Sequence, residues 1–125
     1  MSRKQFEMEF IFKASPSIIY EHFSTPSGLT RWFCDTLQIE GNKYIFGWSG
    51  SEEVAELVQN EPDQHLRFKW EDADEGEYWD IRIHKSPITN DTVLNIVDFA
   101  DEDEIEDQKE YWKEQINALK NIIGG

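Results

Sequence analysis

The sequence is poor in cysteine and in long apolar segments. Cys34 is its only cysteine, which excludes a disulfide within the chain. The opening segment MSRKQFEMEF lacks the apolar core of a signal peptide, and no run approaches the roughly 20 apolar residues of a membrane span. We therefore expect a cytoplasmic protein that does not insert into a membrane.

Basic side chains are also scarce. The chain has 12 lysine and arginine residues against 26 aspartate and glutamate residues, which gives a net charge of -14. Such a chain repels phosphate backbones and anionic lipid, so we expect no nucleic-acid partner. The simplest interpretation of the charge is an acidic surface that keeps the protein in solution.

Histidine is sparse, and its three copies show no spacing typical of a metal site. His22, His65 and His84 lie far from one another and from Cys34, so we predict neither a metal ion nor another cofactor. His65 sits beside a turn and is predicted to be solvated. Cys34 needs a base to act as a nucleophile, and its neighbour Asp35 would point elsewhere. No catalytic residue is predicted.

What the chain has in abundance is aromatic rings. Eight phenylalanine, five tryptophan and four tyrosine residues stand in a sequence that is only 38% hydrophobic. This composition indicates either a core of few, large side chains or a pocket lined by rings. The composition alone leaves both alternatives open.

The C-terminal segment, residues 101–125, is predicted to form one long helix. Its large apolar residues follow one another at spacings of seven, four, three and four, which keeps them on a single stripe. They are Ile105, Trp112, Ile116, Leu119 and Ile123. Asp103 and Glu106 have capping-box spacing at the start, and Gly124 and Gly125 supply the stop. Such a helix needs a surface to pack on.

The rest of the chain is dominated by alternating apolar and polar residues, which predict strands. The predicted strands cover residues 3–13, 36–40, 44–48, 52–59, 66–70, 79–84 and 93–100. Pro16 is well placed to begin a short helix that continues through Phe23, and residues 29–33 can make a second one. Gly41 and Asn42 form a hairpin turn signal between two of the strands.

This order of elements predicts the α+β class and a single domain over residues 1–125. Strands that are joined by short turns pair antiparallel. A curved antiparallel sheet of about seven strands, wrapped around the C-terminal helix, would bury the apolar face of the sheet and the stripe of the helix together. Two short helices are expected after the first strand.

Two groups of residues give the chain a resemblance to a known family. The first group comprises Ala14-Ser15-Pro16, Ile19-Tyr20, Phe23-Ser24-Thr25-Pro26, Gly28-Leu29 and Trp32-Phe33. The second is Trp112 with Ile116 and Leu119 in the last helix. Both resemble the START-like superfamily, also called SRPBCC or Bet v 1-like, and especially its relatives of the activator of the heat-shock chaperone ATPase. The resemblance covers nearly the whole chain and implies the helix-grip fold.

The resemblance also implies a cavity between the sheet and the C-terminal helix that can hold an apolar small molecule. The candidate wall residues are Trp32, Phe33, Phe46, Trp48, Phe68, Trp70, Trp79, Trp112 and Ile116. Glu56, Arg82 and Asn95 are candidate polar groups that would orient a ligand. The alternative is that the rings simply fill this space.

Three functions are compatible with this resemblance. The first is binding of a hydrophobic or amphipathic small molecule, lipid-like or aromatic, with no assignable reaction. The alternative is a chaperone-associated interaction module, whose acidic surface would meet a basic patch on a partner protein. The third is a cyclase or hydrolase, which would need a polar pair in the cavity with a shifted proton affinity. The sequence shows no convincing pair of this kind.

Overall fold

One antiparallel sheet of seven strands dominates the computed structural model, which describes residues 2–125. The strands are β1 (Arg3–Phe12), β2 (Thr36–Glu40), β3 (Lys43–Trp48), β4 (Ser51–Glu61), β5 (His65–Trp70), β6 (Trp79–Lys85) and β7 (Thr92–Asp101). The helices are α1 (Pro16–Ser24), α2 (Pro26–Leu29) and α3 (Ile105–Ile123), with a 3-10 turn at Glu102–Glu104. The predicted α+β class and helix-grip architecture are confirmed.

The strand order across the sheet is β1-β7-β6-β5-β4-β3-β2. From β2 to β7, consecutive strands are neighbours, as expected for strands that are joined by short turns. β1 and β2 lie at opposite edges, and α1 and α2 form the connection between them. Gly41 makes the tight β2–β3 turn possible, because its φ of 65° is strained for most residues with a side chain. This confirms the predicted hairpin.

The alternation along each strand gives the sheet two different faces. The inner face carries buried rings such as Phe12, Phe46 and Phe68 and packs against α3. The outer face, which points away from α3, carries mostly polar side chains, with Glu9 as one example. The position of the inner face determines which side chains can reach a ligand.

Local side-chain hydrogen bonds start both short helices. The Ser15 hydroxyl accepts the N–H of Ile18 at 3.4 Å, and Pro16 occupies the first turn of α1, as predicted. The Thr25 hydroxyl accepts the N–H of Gly28 at 3.0 Å and starts α2 in the same way. The two helices therefore follow each other with almost no linker.

α3 lies against the inner face with Trp112, Ile116 and Leu119 buried, as the apolar stripe predicts. Gly124 ends the helix in the left-handed conformation, at a φ of 86°. The predicted capping box is wrong, because Glu104 precedes the helix and makes no capping side-chain hydrogen bond. The φ and ψ of Glu104, -111° and -2°, are not the extended angles that a capping side chain requires. Within residues 2–125, no helix is both long enough and apolar enough to cross a membrane.

Candidate ligand-binding cavity

A cavity of about 440 Å³ lies between the inner face of the sheet and α3. β3 to β7 supply one wall, α3 supplies the other, and the segment after α2 closes one side. The lining residues are Phe33, Trp48, Ser51, Glu53, Trp70, Trp79, Asp98, Gln108, Tyr111 and Trp112. Six of these ten side chains are aromatic.

The alternation within the strands explains why these rings face α3. Phe46 and Trp48 share the inner face of β3, and Phe68 and Trp70 share the inner face of β5. Trp79 of β6 stands directly opposite Phe68, so the two rings stack with their centroids 4.4 Å apart. β3 and β5 therefore each contribute one ring to the packed core and a second ring to the cavity wall.

Phe33 is the ring that joins the two walls. Its centroid lies 5.7 Å from Trp48, 5.7 Å from Trp79 and 6.2 Å from Trp112. The indole N–H of Trp48 also donates to the Phe33 carbonyl at 2.8 Å. Ring pairs at these separations attract each other beyond simple area burial. The cavity wall is thus a network of rings that hold one another in place.

Asp98 on the inner face of β7 is the polar centre of the cavity. Its Oδ2 accepts the indole N–H of Trp112 at 3.0 Å and the side-chain amide of Gln108 at 3.4 Å, both from α3. Its Oδ1 accepts the N–H of Phe99 at 2.8 Å. Burial raises the pKa of Asp98, while these hydrogen bonds and the charge of Arg3 oppose the rise. Asp98 therefore connects the sheet to α3 while it lines the cavity.

Tyr111 brings a second titratable group into the cavity wall. Burial raises the pKa of its hydroxyl, and the charges of Glu53, Asp98 and Cys34 raise it further. The Tyr111 hydroxyl therefore stays protonated and neutral over the physiological pH range. It can donate a hydrogen bond to a ligand.

A second cavity of about 390 Å³ adjoins the first and shares Glu53, Trp70, Asp98 and Gln108 with it. We call it the acidic vestibule, because its carboxylates are Glu53, Asp72, Glu77, Asp98, Glu104 and Asp107. Arg3 is the only cation among its described lining residues. Its Nη2 donates to Glu77 at 2.7 Å, which lowers the pKa of Glu77. The approach to the aromatic cavity is therefore negatively charged.

The comparisons with known proteins agree with this architecture. Residues 1–125 match the family model that is described as the START-like superfamily domain. The chain belongs to the START-like superfamily. No curated protein sequence matches the chain significantly.

Solved structures similar to this START-like chain cover nearly all of it. BfR322 from Bacteroides fragilis is 30% identical, with a TM-score of 0.72 over 98% of this chain and 92% of that one. The Aha1 dimer from Colwellia psychrerythraea is 17% identical, with a TM-score of 0.82 over 96% of both chains. CalU16 from Micromonospora echinospora is 18% identical, with a TM-score of 0.73 over 98% of this chain and 76% of its own. The latter two similarities establish the fold alone.

Five of the nine predicted wall residues line the cavity of the START-like chain: Phe33, Trp48, Trp70, Trp79 and Trp112. Phe46, Phe68 and Ile116 are fully buried in the core beneath it. Trp32 lines a separate groove beside Cys34, and its indole N–H donates to the His22 carbonyl at 2.8 Å. The two alternatives left open by the sequence thus occur together: some rings fill the core and others surround an open space.

The three predicted polar orienters are on the wrong face of the sheet. Glu56 stands opposite Lys43 and Lys69 on the outer face. Arg82 and Asn95 stand opposite each other on the same face. Paired residues on neighbouring antiparallel strands share a face of the sheet. Successive residues of a strand point to opposite faces, so the residues just before and after each of these three face the cavity side. None of the three can orient a ligand in the cavity.

The polar residues that do line the cavity were missed as site residues by sequence reasoning. They are Ser51, Glu53, Asp98, Gln108 and Tyr111. A usable signal existed for Asp98, because it continues the alternation of Leu94 and Ile96 along β7. β7 reads as apolar on both faces, so this alternation does not stand out in the sequence.

His65 was predicted to be solvated, and this is wrong. Its Nε2 lies 2.6 Å from Oδ2 of Asp80, which is fully buried on the outer face. Arg67 donates to the same oxygen at 2.8 Å. These groups form a second polar cluster, which the sheet separates from the cavity.

The acidic run before α3 brings together Asp101, Asp103 and Glu104, whose carboxylate oxygens lie within 4.8 Å of one another. A hydrogen bond with Asp101 and the neighbouring charges raise the pKa of Glu104. Arg3 lies 3.6 Å from Asp101 and partly balances this group. Exposed carboxylates cluster in this way in many acidic proteins, so we assign no metal ion here.

Proposed function

We propose that this START-like protein binds a hydrophobic or amphipathic small molecule between its sheet and α3. The observation that carries the proposal is the open space of about 440 Å³ with six aromatic rings in its wall. Ligand cavities in proteins typically measure about 300–1,000 Å³ and combine an apolar wall with a few polar groups. This cavity has a volume in that range, and its wall combines six aromatic residues with polar side chains such as Asp98.

The rings that surround the space are fixed in position by contacts with one another and with Asp98. Phe33 is stacked on Trp79 and Trp112, and Trp112 is tied to Asp98 across the cavity wall. A ligand that enters therefore finds a preformed site and loses little affinity to rearrangement. Apolar surface that it buries against the rings contributes about 25 cal/mol per Å² to the gross binding energy.

A cavity-filling substitution tests the proposal. Ser51 lines the cavity, whereas Ser49 lies just outside it on the same turn, so Ser51→Phe and Ser49→Phe form a matched pair. Native mass spectrometry and NMR titration with a panel of lipid-like and aromatic compounds would measure binding. We expect wild type and Ser49→Phe to bind the same members and Ser51→Phe to bind them at least about fivefold more weakly. The proposal fails if wild type binds no member of the panel.

A chaperone-associated interaction module remains the alternative proposal. The similarity to the Aha1 dimer shows a common fold, and the net charge of -14 suits a basic partner surface. The proposal does not rest on the five large apolar side chains that are exposed in the described chain, each on a different element or turn. They are Ile11, Ile18, Val58, Ile88 and Tyr111. A pull-down with purified chaperone that recovers no complex would eliminate this alternative.

An enzymatic role has gained candidate residues that the sequence did not reveal. Asp98 and Tyr111 line one cavity, and burial raises the pKa of both. A neutral tyrosine and a carboxylate can position a substrate, but neither the cavity nor its neighbours define a reacting bond. We therefore assign no reaction.

A further inference from the structure

We propose that the ligand of this cavity carries a positively charged ammonium group, which Asp98 and the surrounding rings bind. This inference rests on the proposed function and names the chemical class of its ligand. It follows from three properties of the wall: the sign of its charge, the chemistry of its rings and the unbalanced charge of Asp98.

The charge of the wall is of one sign. Glu53 and Asp98 contribute carboxylates, and no lysine, arginine or histidine from residues 2–125 lines the cavity. The acidic vestibule adds further carboxylates, and its cation, Arg3, is engaged by Glu77. An anionic ligand would meet repulsion along the whole approach, whereas a cation would be attracted.

The rings supply a second attraction for a cation. The face of an aromatic ring is electron-rich, and ammonium groups bind within about 6 Å of its centre, best at tryptophan. Trp48, Trp70, Trp79 and Trp112 line this cavity together with Phe33 and Tyr111. Trp79 is only 1% exposed, and the rings that are open to a ligand are those of Trp48, Trp70 and Tyr111. A wall built in this way suits a cation that is poorly hydrated, such as an alkylated ammonium.

The third property is that the Asp98 carboxylate has no cation in contact with it in the described chain. Residues 2–125 contain no ion pair to its carboxylate. An ionised carboxylate can accept about four hydrogen bonds, and the N–H groups of Phe99, Trp112 and Gln108 occupy three of these sites. A partly buried carboxylate without a contacting cation is costly to keep ionised. An ammonium group in the cavity would supply the missing charge.

The size of the cavity indicates that the ligand has a second part besides the ammonium group. A space of about 440 Å³ exceeds what an ammonium group alone would fill, and most of the wall is aromatic. The ligand should therefore join its cation to an apolar part. This makes it an amphipathic organic cation rather than a metal ion.

Three probes of nearly equal size test the inference by NMR titration of the tryptophan indole N–H groups. They are benzyltrimethylammonium, its uncharged isostere neopentylbenzene, in which carbon replaces nitrogen, and the anion toluenesulfonate. We expect wild type to bind the cation at least about tenfold more tightly than the isostere and to bind the anion more weakly than both.

Asp98→Asn is the informative variant, because asparagine removes the charge and keeps one acceptor oxygen for Trp112 and Gln108, and gives up only the hydrogen bond from the N–H of Phe99. It should bind the isostere as wild type does and lose most of the preference for the cation. Asp63→Asn removes one charge at an exposed turn outside both cavities, where a φ of 64° suits asparagine, and should keep the preference. If Asp98→Asn does not fold, Glu53→Gln serves in its place and should reduce the preference.

The outcomes separate this inference from the proposed function. Equal affinities for the cation and the isostere would overturn the ammonium inference and leave the apolar cavity function standing. If Asp63→Asn also loses the preference for the cation, the preference comes from the general surface charge, and the role of Asp98 is overturned. Tighter binding of toluenesulfonate would overturn the inference as well. If none of the three probes binds, the ammonium inference fails, and the panel of lipid-like and aromatic compounds decides separately whether the proposed function stands.

Discussion

Asp80 and Asp98 are aspartates on neighbouring strands, yet they face opposite sides of the sheet and have different partners. Asp80 on the outer face is bound by His65 and Arg67 at 2.6 and 2.8 Å. Asp98 on the inner face receives only hydrogen bonds from uncharged donors. The charge of Asp80 is therefore compensated within the chain, whereas that of Asp98 faces an open cavity. This difference makes one residue structural and the other a candidate for ligand binding.

Asp98 should make the stability of the protein depend on pH. Its pKa in the folded protein lies above the ordinary value, so in the pH range between the two values the folded chain holds more protons than the unfolded chain. Its contribution to stability therefore falls as pH rises through this window and is constant below it. Asp98→Asn removes this dependence, so the variant should gain stability relative to wild type as pH rises above the ordinary aspartate pKa of about 3.9.

Urea denaturation of both proteins at a series of pH values measures this difference. The other carboxylates are common to the two proteins, so subtraction isolates Asp98. A difference in the free energy of unfolding that stays constant with pH would contradict the prediction.

Asp80 should contribute to stability through the hydrogen bonds that His65 and Arg67 make to it. Asp80→Asn leaves His65 and Arg67 on the outer face without the carboxylate that binds them. Hydrogen bonds to charged groups contribute about 1.5–3 kcal/mol, and Arg67 remains partly accessible to water. We expect a loss of about 2–3 kcal/mol at neutral pH in urea denaturation. Asp63→Asn at an exposed turn is the control, and an equal effect of the two variants would contradict the assignment.

At the scale of elements, the join between α1 and α2 depends on one small residue. Thr25 ends α1, since its N–H donates to the Glu21 carbonyl, and its hydroxyl starts α2 by accepting from Gly28. Gly28 thereby lies directly against the backbone of α1. Helices that approach this closely leave no room for a side chain at the contact.

Gly28→Ala should be strongly destabilising. Its Cβ would collide with the Glu21 carbonyl oxygen and would lie 2.7 Å from Cα of His22, both of which are main-chain atoms that cannot swing away. We expect a loss of at least about 2 kcal/mol in thermal or urea unfolding. Ser27→Ala, one residue earlier and exposed, should stay within about 0.5 kcal/mol of wild type. A similar small effect for Gly28→Ala would mean that α1 and α2 are packed less closely than the structure shows.

At the scale of the whole molecule, charge is the dominant feature. A net charge of -14 on 125 residues makes the folded chain repel itself, because folding brings the carboxylates closer together. The acidic vestibule and the acidic run before α3 concentrate this repulsion at one end of the cavity. A bound organic cation would relieve part of it.

Salt should therefore stabilise the protein. Raising NaCl from about 0.01 M to about 0.5 M shortens the Debye length from roughly 30 Å to under 10 Å and screens the carboxylates from one another. We expect the melting temperature to rise steadily over this range, with KCl giving the same result. A melting temperature that falls would show that ion pairs such as Arg67 with Asp80 outweigh the repulsion.

Much of the fold could be predicted from local sequence patterns. The alternation in β1, the proline that begins α1 and the stripe on α3 each depend on residues within seven positions of one another, so they can be recognised in the sequence. The candidate site was harder to predict from the sequence. Phe46 and Trp48 are both aromatic and share a face of β3, yet one is fully buried and the other lines a cavity. Local alternation assigns both to the inner face and does not separate them.

The sequence by itself determined the strands, the helices and the stops between them, because backbone preference and hydrophobic period are set by near neighbours. It also determined the acidic charge, which is a sum over residues. Only the tertiary structure decided that Asp98 meets Trp112 and that Glu56, Arg82 and Asn95 face away from the cavity. Register and the distance between sheet and helix arise from packing over the whole chain, and no local pattern encodes the empty volume that remains between them.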